Sequence, residues 1–202
     1  MLKKALSIIC LVCFVSCPGH QSSTSFFSNQ KRKIYKSSSC DVNKPFPQMV
    51  IIPFFESATQ LMPNCDTYPK HQTALALMIF YHHWLKWFGD EELVVKKMLE
   101  KVMIEWDTKK RTVKRGYSLK GKLKRNITVV GIARSNSVMW VWEGHFHKIA
   151  ESSLIHELVH LALRAKYGHG DSDHEGDKYS GWTVEHSAMI LEAKEMLRSF
   201  DI

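Results

Sequence analysis

The 202-residue chain reads as an α+β domain with helices and a small, mostly antiparallel sheet, and three observations carry that reading. Apolar residues recur at helical spacing over 71–88, 154–167 and 183–200. Short β-branched and aromatic runs, "MVIIPFF" at 49–55, "ITVVGIA" at 127–133 and "VMWVW" at 138–142, precede the helix at 154–167. A hydrophobic share of 45% against 24% charged residues is enough to bury one core, here assigned to residues 46–202.

The chain opens "MLKKALSIICLVCFVSC", two lysines followed by an uncharged, mostly apolar run from Ala5 to Val15. Eleven helical residues rise about 16 Å, too little to span a bilayer, so residues 1–16 are expected to be an export signal. The stretch "FVSC" resembles the bacterial lipobox, with Phe14 where leucine is usual. The resemblance implies acylation of Cys17 and a lipid anchor in a membrane of the bacterial cell envelope, the protein facing periplasm or exterior. The alternative is a plain signal and a secreted protein. Residues 17–45, rich in Ser and Lys and without apolar periodicity, read as a flexible tether. Loss of Lys3 and Lys4 with the signal lowers the formal charge from +8 to +6, a moderately basic balance that selects no partner class by itself. Cys40 and Cys65 are then the remaining thiols. In an oxidising compartment they are expected to pair, closing a loop worth about 3 to 4 kcal/mol in the chain-entropy view; two free thiols are the alternative.

Taken in order, "MVIIPFF" with Pro53 is a first strand or an extended lead-in. Residues 71–88 are apolar on nearly every face and contain no breaker, which predicts a buried helix closed by Gly89. "DEELVVKKMLEKVMIEW" starts with acids and spaces Leu93, Val94, Met98, Val102 and Met103 helically, which predicts a second helix over 90–106 packed on the first. His82 and His83 have no metal-ligating partner at i+4 and read as packing or surface residues. "ITVVGIA" and "VMWVW", separated by "RSNS", form a predicted hairpin. Nine basic residues between Lys109 and Arg125 read as a solvated hairpin edge protected by lysines. Aromatics are not interleaved there for base stacking, so no nucleic-acid partner is expected.

The helix at 154–167 is well bounded, with Ser152 or Ser153 as N-cap and Gly168 as stop. Leu154, Leu158, Leu161 and Ala165 make one apolar stripe, and Ile155, Val159 and Ala162 make another. The remaining face carries His156 and His160 at i and i+4, close enough for both imidazoles to bind one metal ion. Glu157 lies about 100° round from His156, where a carboxylate can take a proton from water. Two imidazoles and a carboxylate are costly in a buried helix unless something such as a metal satisfies them. This H-E-x-x-H helix, with strands just ahead of it, resembles the zincin metallopeptidases over about residues 110–190. The resemblance implies one Zn²⁺ held by His156 and His160, Glu157 as general base, and a peptide or protein substrate aligned by an upstream edge strand, the place of "SVMWVWEG".

The third ligand is left open by the motif. A metzincin would have glycine and histidine where this chain has Leu163 and Lys166, and a thermolysin-like enzyme a glutamate where it has Ser180, with Glu185 nearest. "GHG" at 168–170 is similar to a SprT-like tripeptide, at a shorter spacing from His160. A helix running to Tyr167 ends about 10 Å beyond His160, and the chain must turn back to reach the metal. His169 has two residues for that, whereas His174 has seven at up to about 3.4 Å each. His174 is therefore the expected ligand, with Asp171 or Asp173 orienting an imidazole, and His169, His186 and Glu185 as the other candidates. Calcium competes for the loop: Asp171, Asp173, Glu175 and Gly176 fall at EF-hand positions, but Lys178 and Trp182 stand where an apolar residue and a bidentate glutamate belong. Tyr179 and His186 are candidates for stabilising an oxyanion. The expected activity is peptide-bond hydrolysis by metal-activated water, and the rival is a non-catalytic lipoprotein that binds zinc or calcium for structure.

Overall fold

The computed structural model describes residues 43, 47–63, 70–117, 122–142, 148–174, 176 and 178–202. The export signal, the lipidated Cys17, almost all of the tether and the Cys40–Cys65 pair fall outside the described residues. Strand β1 (Gln48–Ile51) folds back on β2 (Thr59–Met62), and the long helix α1 (Lys70–Phe88) follows, ended by Gly89 at φ 67°. His83 is buried on α1 with Nδ1 3.3 Å from a Glu192 carboxylate oxygen, and His82 is exposed, both away from the histidine helix.

The helix predicted over 90–106 is corrected by the structure. Only α2 (Val94–Leu99) is helical, and Met103–Asp107 is strand β3. The Asp90 carboxylate takes the N–H groups of Val95 and Lys96 at 3.1 and 2.9 Å, so the helix starts late, after Leu93 at φ 55°. "MIEWD" alternates, with Ile104 and Trp106 buried and their neighbours half-buried, which is strand periodicity inside an apparently helical pattern.

Strands β4 (Arg111–Tyr117) and β5 (Leu123–Val129) pair only with each other, as an antiparallel ribbon. Strands β6 (Gly131–Ala133) and β7 (Val138–Trp142) complete a five-stranded sheet of order β1-β2-β3-β7-β6. Its two inner pairings, β2 with β3 and β3 with β7, are parallel, while the outer pairs and the ribbon are antiparallel. The predicted hairpin thus survives in its "GIA" half, and "ITV" belongs to the ribbon. The expected edge strand is also corrected: β7 is interior, with Met139, Trp140 and Val141 fully buried, and β6 is the edge. Three consecutive buried residues mean that both faces of β7 are covered.

Helix α3 (Leu154–Tyr167) follows a 3₁₀ turn at Ile149–Glu151, and α4 (Val184–Ser199) packs on α1 and α3. Leu154, Ile155, Leu158, Val159, Leu161, Ala162 and Leu163 are all fully buried, so α3 is enclosed on most of its circumference. Among the described residues no helix is long and apolar enough to cross a membrane.

Helix and sheet are tied by one buried amide. Gln60 on β2 accepts at Oε1 from Trp106 Nε1 at 2.7 Å and from Thr73 Oγ1 of α1 at 3.1 Å. Gln60→Leu removes this acceptor from both donors, and is expected to lower the unfolding free energy by about 2 kcal/mol, read as a reduced urea midpoint at unchanged slope.

Candidate metal centre

The site begins with the boundaries of α3. Ser152 Oγ accepts the Leu154 N–H at 3.2 Å, and Gly168 at φ 81° closes the helix by donating its N–H to the Arg164 carbonyl at 2.9 Å. The chain then doubles back over the helix end. Gly170 sits so close that a Cβ there would lie 2.9 Å from the His160 carbonyl oxygen, and its own carbonyl accepts the His160 Nδ1 proton. Asp171 and His174 take left-handed conformations, φ 45° and 57°. The loop is held by its own carboxylates: Asp171 Oδ2 takes the Trp182 N–H at 2.6 Å, and Asp173 Oδ2 takes the Lys178 N–H at 2.9 Å. Both aspartates are buried, and burial raises the Asp171 carboxyl above its usual range.

This return delivers His174 to the two helix histidines. His156 Nε2 is 3.2 Å from His160 Nε2 and 3.1 Å from His174 Nε2, and one ligating atom from each of the three lies within 4.8 Å of the others. Trp182 is in ring contact with all three, its centroid 5.0, 4.8 and 4.7 Å from His156, His160 and His174. Burial pushes His156 well below its ordinary pKa and His160 down to about 4, so both rings are neutral near pH 7. With its Nδ1 proton given to Gly170, His160 presents an Nε2 lone pair to the cluster. Three nitrogens converging this closely suit a cation, and the separation approaches the roughly 3.3 Å expected between nitrogens about 2.0 to 2.1 Å from a tetrahedral zinc. The donor set fits zinc by chemistry as well, since neutral imidazole is one of its preferred ligands.

Glu157 is wholly buried beside the cluster, and burial raises its pKa to about 8 against one opposing hydrogen bond from the Ala133 backbone. It lies against β6 because residue 131 is glycine: a Cβ there would meet Glu157 Oε1 at 2.3 Å and Cγ at 2.6 Å. Trp142 N–H to Val130 carbonyl (2.7 Å) and Arg134 N–H to Val138 carbonyl (2.8 Å) point alternate backbone groups of the edge toward β7. By the same alternation the groups of Gly131 and Ala133 face away from it. A cleft of about 880 Å³ runs between β6, the ribbon and α3, lined by His156, Glu157, His160 and His174.

The other predicted residues lie elsewhere. His186 occupies the third position of α4, where Nδ1 accepts the Thr183 N–H at 3.0 Å and the ring stacks on Phe88 at 4.1 Å. Its expected oxyanion role is corrected to capping and packing. Tyr179 contacts His169 (5.6 Å) and lies under Lys178 at the margin of the cleft. His169 stays outside the cluster, and Glu185 is exposed on the first turn of α4. Asp171 and Asp173 spend Oδ2 on loop backbone, while Glu175 of the proposed calcium loop is outside the described residues. Sequence reasoning missed Gly131, Gly170 and Trp182. An isolated glycine in a strand pattern is a signal of close approach that could have found Gly131. Compared with protein-family models, curated proteins and solved structures, the chain matches none.

Gly170→Ala forces the returning loop off the His160 backbone. Metal affinity is expected to fall on the order of 10- to 100-fold, measured by competition with a chromophoric chelator, because the acceptor orienting His160 is displaced. His186 supplies a pH test. Burial holds its folded pKa at about 4, below the unfolded value near 6.5, so the unfolded chain protonates first as pH falls. The stability contributed by neutral His186 is complete above about pH 6.5 and is lost toward pH 4. His186→Gln keeps an acceptor for Thr183 but cannot titrate, so its loss of unfolding free energy across that window should be smaller than wild type by on the order of 2 kcal/mol.

Proposed function

We propose that the protein is a zinc-dependent metallopeptidase of zincin type, working in the cell envelope on a lipid anchor at Cys17. The observation that carries the reading is the convergence of the His156, His160 and His174 Nε2 atoms beside a buried Glu157 that rests on the edge strand β6. His156, His160 and His174 would hold the ion. Zinc bound there supplies the Lewis acidity that makes water nucleophilic near neutral pH and polarises a carbonyl. Glu157 then receives the proton of the attacking water at a carboxylate oxygen. Burial alone favours its neutral form, and a neighbouring dication shifts it back toward carboxylate, the state a base requires.

The outward-facing Gly131 N–H and carbonyl and the Ala133 carbonyl suit a substrate laid along β6 as an added strand, the Ala133 N–H being given to Glu157. Such a peptide passes Glu157 at close range, because the bare Gly131 lets the carboxylate lie against the strand. Among the described residues no fourth His, Cys, Asp or Glu joins the cluster, which favours an open, catalytic site over a closed structural one.

Glu157→Gln preserves volume and leaves the ligands alone. Zinc stoichiometry by elemental analysis should stay near one, while turnover of a broad peptide library falls by on the order of 10² to 10⁴. His160→Ala and His174→Ala should lose zinc and activity together. Undiminished turnover in Glu157→Gln would defeat the hydrolytic mechanism, and stoichiometric zinc in His174→Ala would remove His174 from the ligand set.

A further inference from the structure

Five cations away from the cleft are ion-paired: Lys86 with Glu192 (2.8 Å), Lys96 with Glu100 (3.8 Å), Arg111 with Asp107 (3.3 Å), Arg134 with Glu105 and Arg198 with Glu195. Arg115, Lys124, Arg164, Lys178 and Lys194 line the cleft, and among the described residues the sole lining carboxylate is the buried Glu157. On the ribbon, Arg115 stands directly opposite Arg125 across the two strands, with Lys124 next in line. None of these three is ion-paired with a described carboxylate. Like charges in facing positions are destabilising unless something of opposite sign comes between them. Arg164 lies one turn beyond His160 on the same row of α3, bonded to the Arg134 carbonyl at 3.3 Å, with a buried Nε that has no acceptor. Lys178 closes the other side, 5.1 Å over the Tyr179 ring and 6.0 Å over the Tyr117 ring.

We propose that the cleft selects peptides carrying carboxylates on either side of the bond presented to Glu157, read by Arg115 and Lys124 of the ribbon and Arg164 of α3. The inference rests on the metallopeptidase reading and adds its substrate class. A peptide fits these walls better than a nucleic acid or a bilayer does. The outward Gly131 groups and Ala133 carbonyl of β6 can pair with a peptide strand, Tyr117 is the single Phe, Tyr or Trp among the described residues lining the cleft, and the cations line a concave cleft rather than a flat face. The carboxylate has two sources, an Asp or Glu side chain or the peptide C-terminus.

The test uses the zinc-loaded full chain and three matched peptide sets in which residues flanking the cleaved bond are Asp/Glu, Asn/Gln or Lys, each with free and amidated C-termini. The acidic set is expected to exceed the isosteric amides in kcat/KM by on the order of tenfold, with the ratio shrinking as ionic strength rises. Persistence of the preference on amidation assigns the carboxylate to side chains, and its loss assigns it to the terminus. Arg115→Glu with Lys124→Glu, both exposed, should shift the order toward the lysine set, with an unchanged urea midpoint showing that the fold is intact. Equal kcat/KM across the three sets would overturn the inference and leave the metallopeptidase standing. If no peptide is cleaved, the metallopeptidase reading fails. The inference is then read from fluorescence anisotropy of the same peptides, where tighter binding of the acidic set supports it and equal affinity overturns it. Tighter binding of a mixed-sequence single-stranded oligonucleotide, or of phosphatidylglycerol vesicles, than of the acidic peptides would overturn it in favour of a nucleic-acid or membrane surface.

Discussion

The chemistry of this molecule depends on the return of the chain across the end of α3, from Gly168 to His174. Without that reversal, two histidines on a helix face have no third partner. Two non-glycine residues adopt left-handed conformations in it, Asp171 and His174, at a cost of about 1 to 2 kcal/mol each. Charge-assisted bonds from the Trp182 and Lys178 N–H groups to Asp171 and Asp173 offset that cost, and Trp182 adds ring contact with all three imidazoles. One tryptophan therefore serves both halves of the turn: its backbone anchors the loop, and its side chain packs on the histidines that the loop assembles.

Burial explains why the groups of the site hold particular protonation states. Among the described residues, helix α3 packs on the sheet, α1, α2 and α4, so its polar row meets solvent through the cleft alone. Water cannot stabilise charge there, which keeps the His156 and His160 rings neutral and lifts the Glu157 carboxyl. The glycines set the distances. Gly131 brings the edge strand against Glu157, and Gly170 brings the loop against His160, each at a separation a methyl group would forbid.

The legible parts of this fold were those with a strong local period or a reach that could be counted. Helix α3, with its cap and stop, follows from its own residues, and the seven residues from Tyr167 to His174 are enough to choose His174 over His169. The helix predicted through 90–106 fails because "EKVMIEW" fits a helical and an alternating pattern equally, and parallel pairing of β3 between β2 and β7 decides the matter. His186 was attractive as a polar residue near the site, yet its contacts with Phe88 and Trp84 come from α1, about a hundred residues earlier, which no local pattern shows. Trp182 carried no signal of its own and was visible only as a mismatch in a calcium loop.

The backbone ladder of the β4–β5 ribbon involves no strand of the five-stranded sheet, and a side-chain bond ties it to that sheet from Arg111 to Asp107 of β3 at 3.3 Å. Ribbon residues beyond Arg111 can therefore be exchanged without breaking a ladder of the sheet. The parts proposed to bind metal and move protons are embedded in the core, whereas the wall proposed to meet the substrate is nearly independent of it. In evolutionary terms the two can diverge at different rates: under the proposed peptidase reading, a lineage could acquire a new diet of peptides by redrafting one hairpin while inheriting its chemistry unaltered.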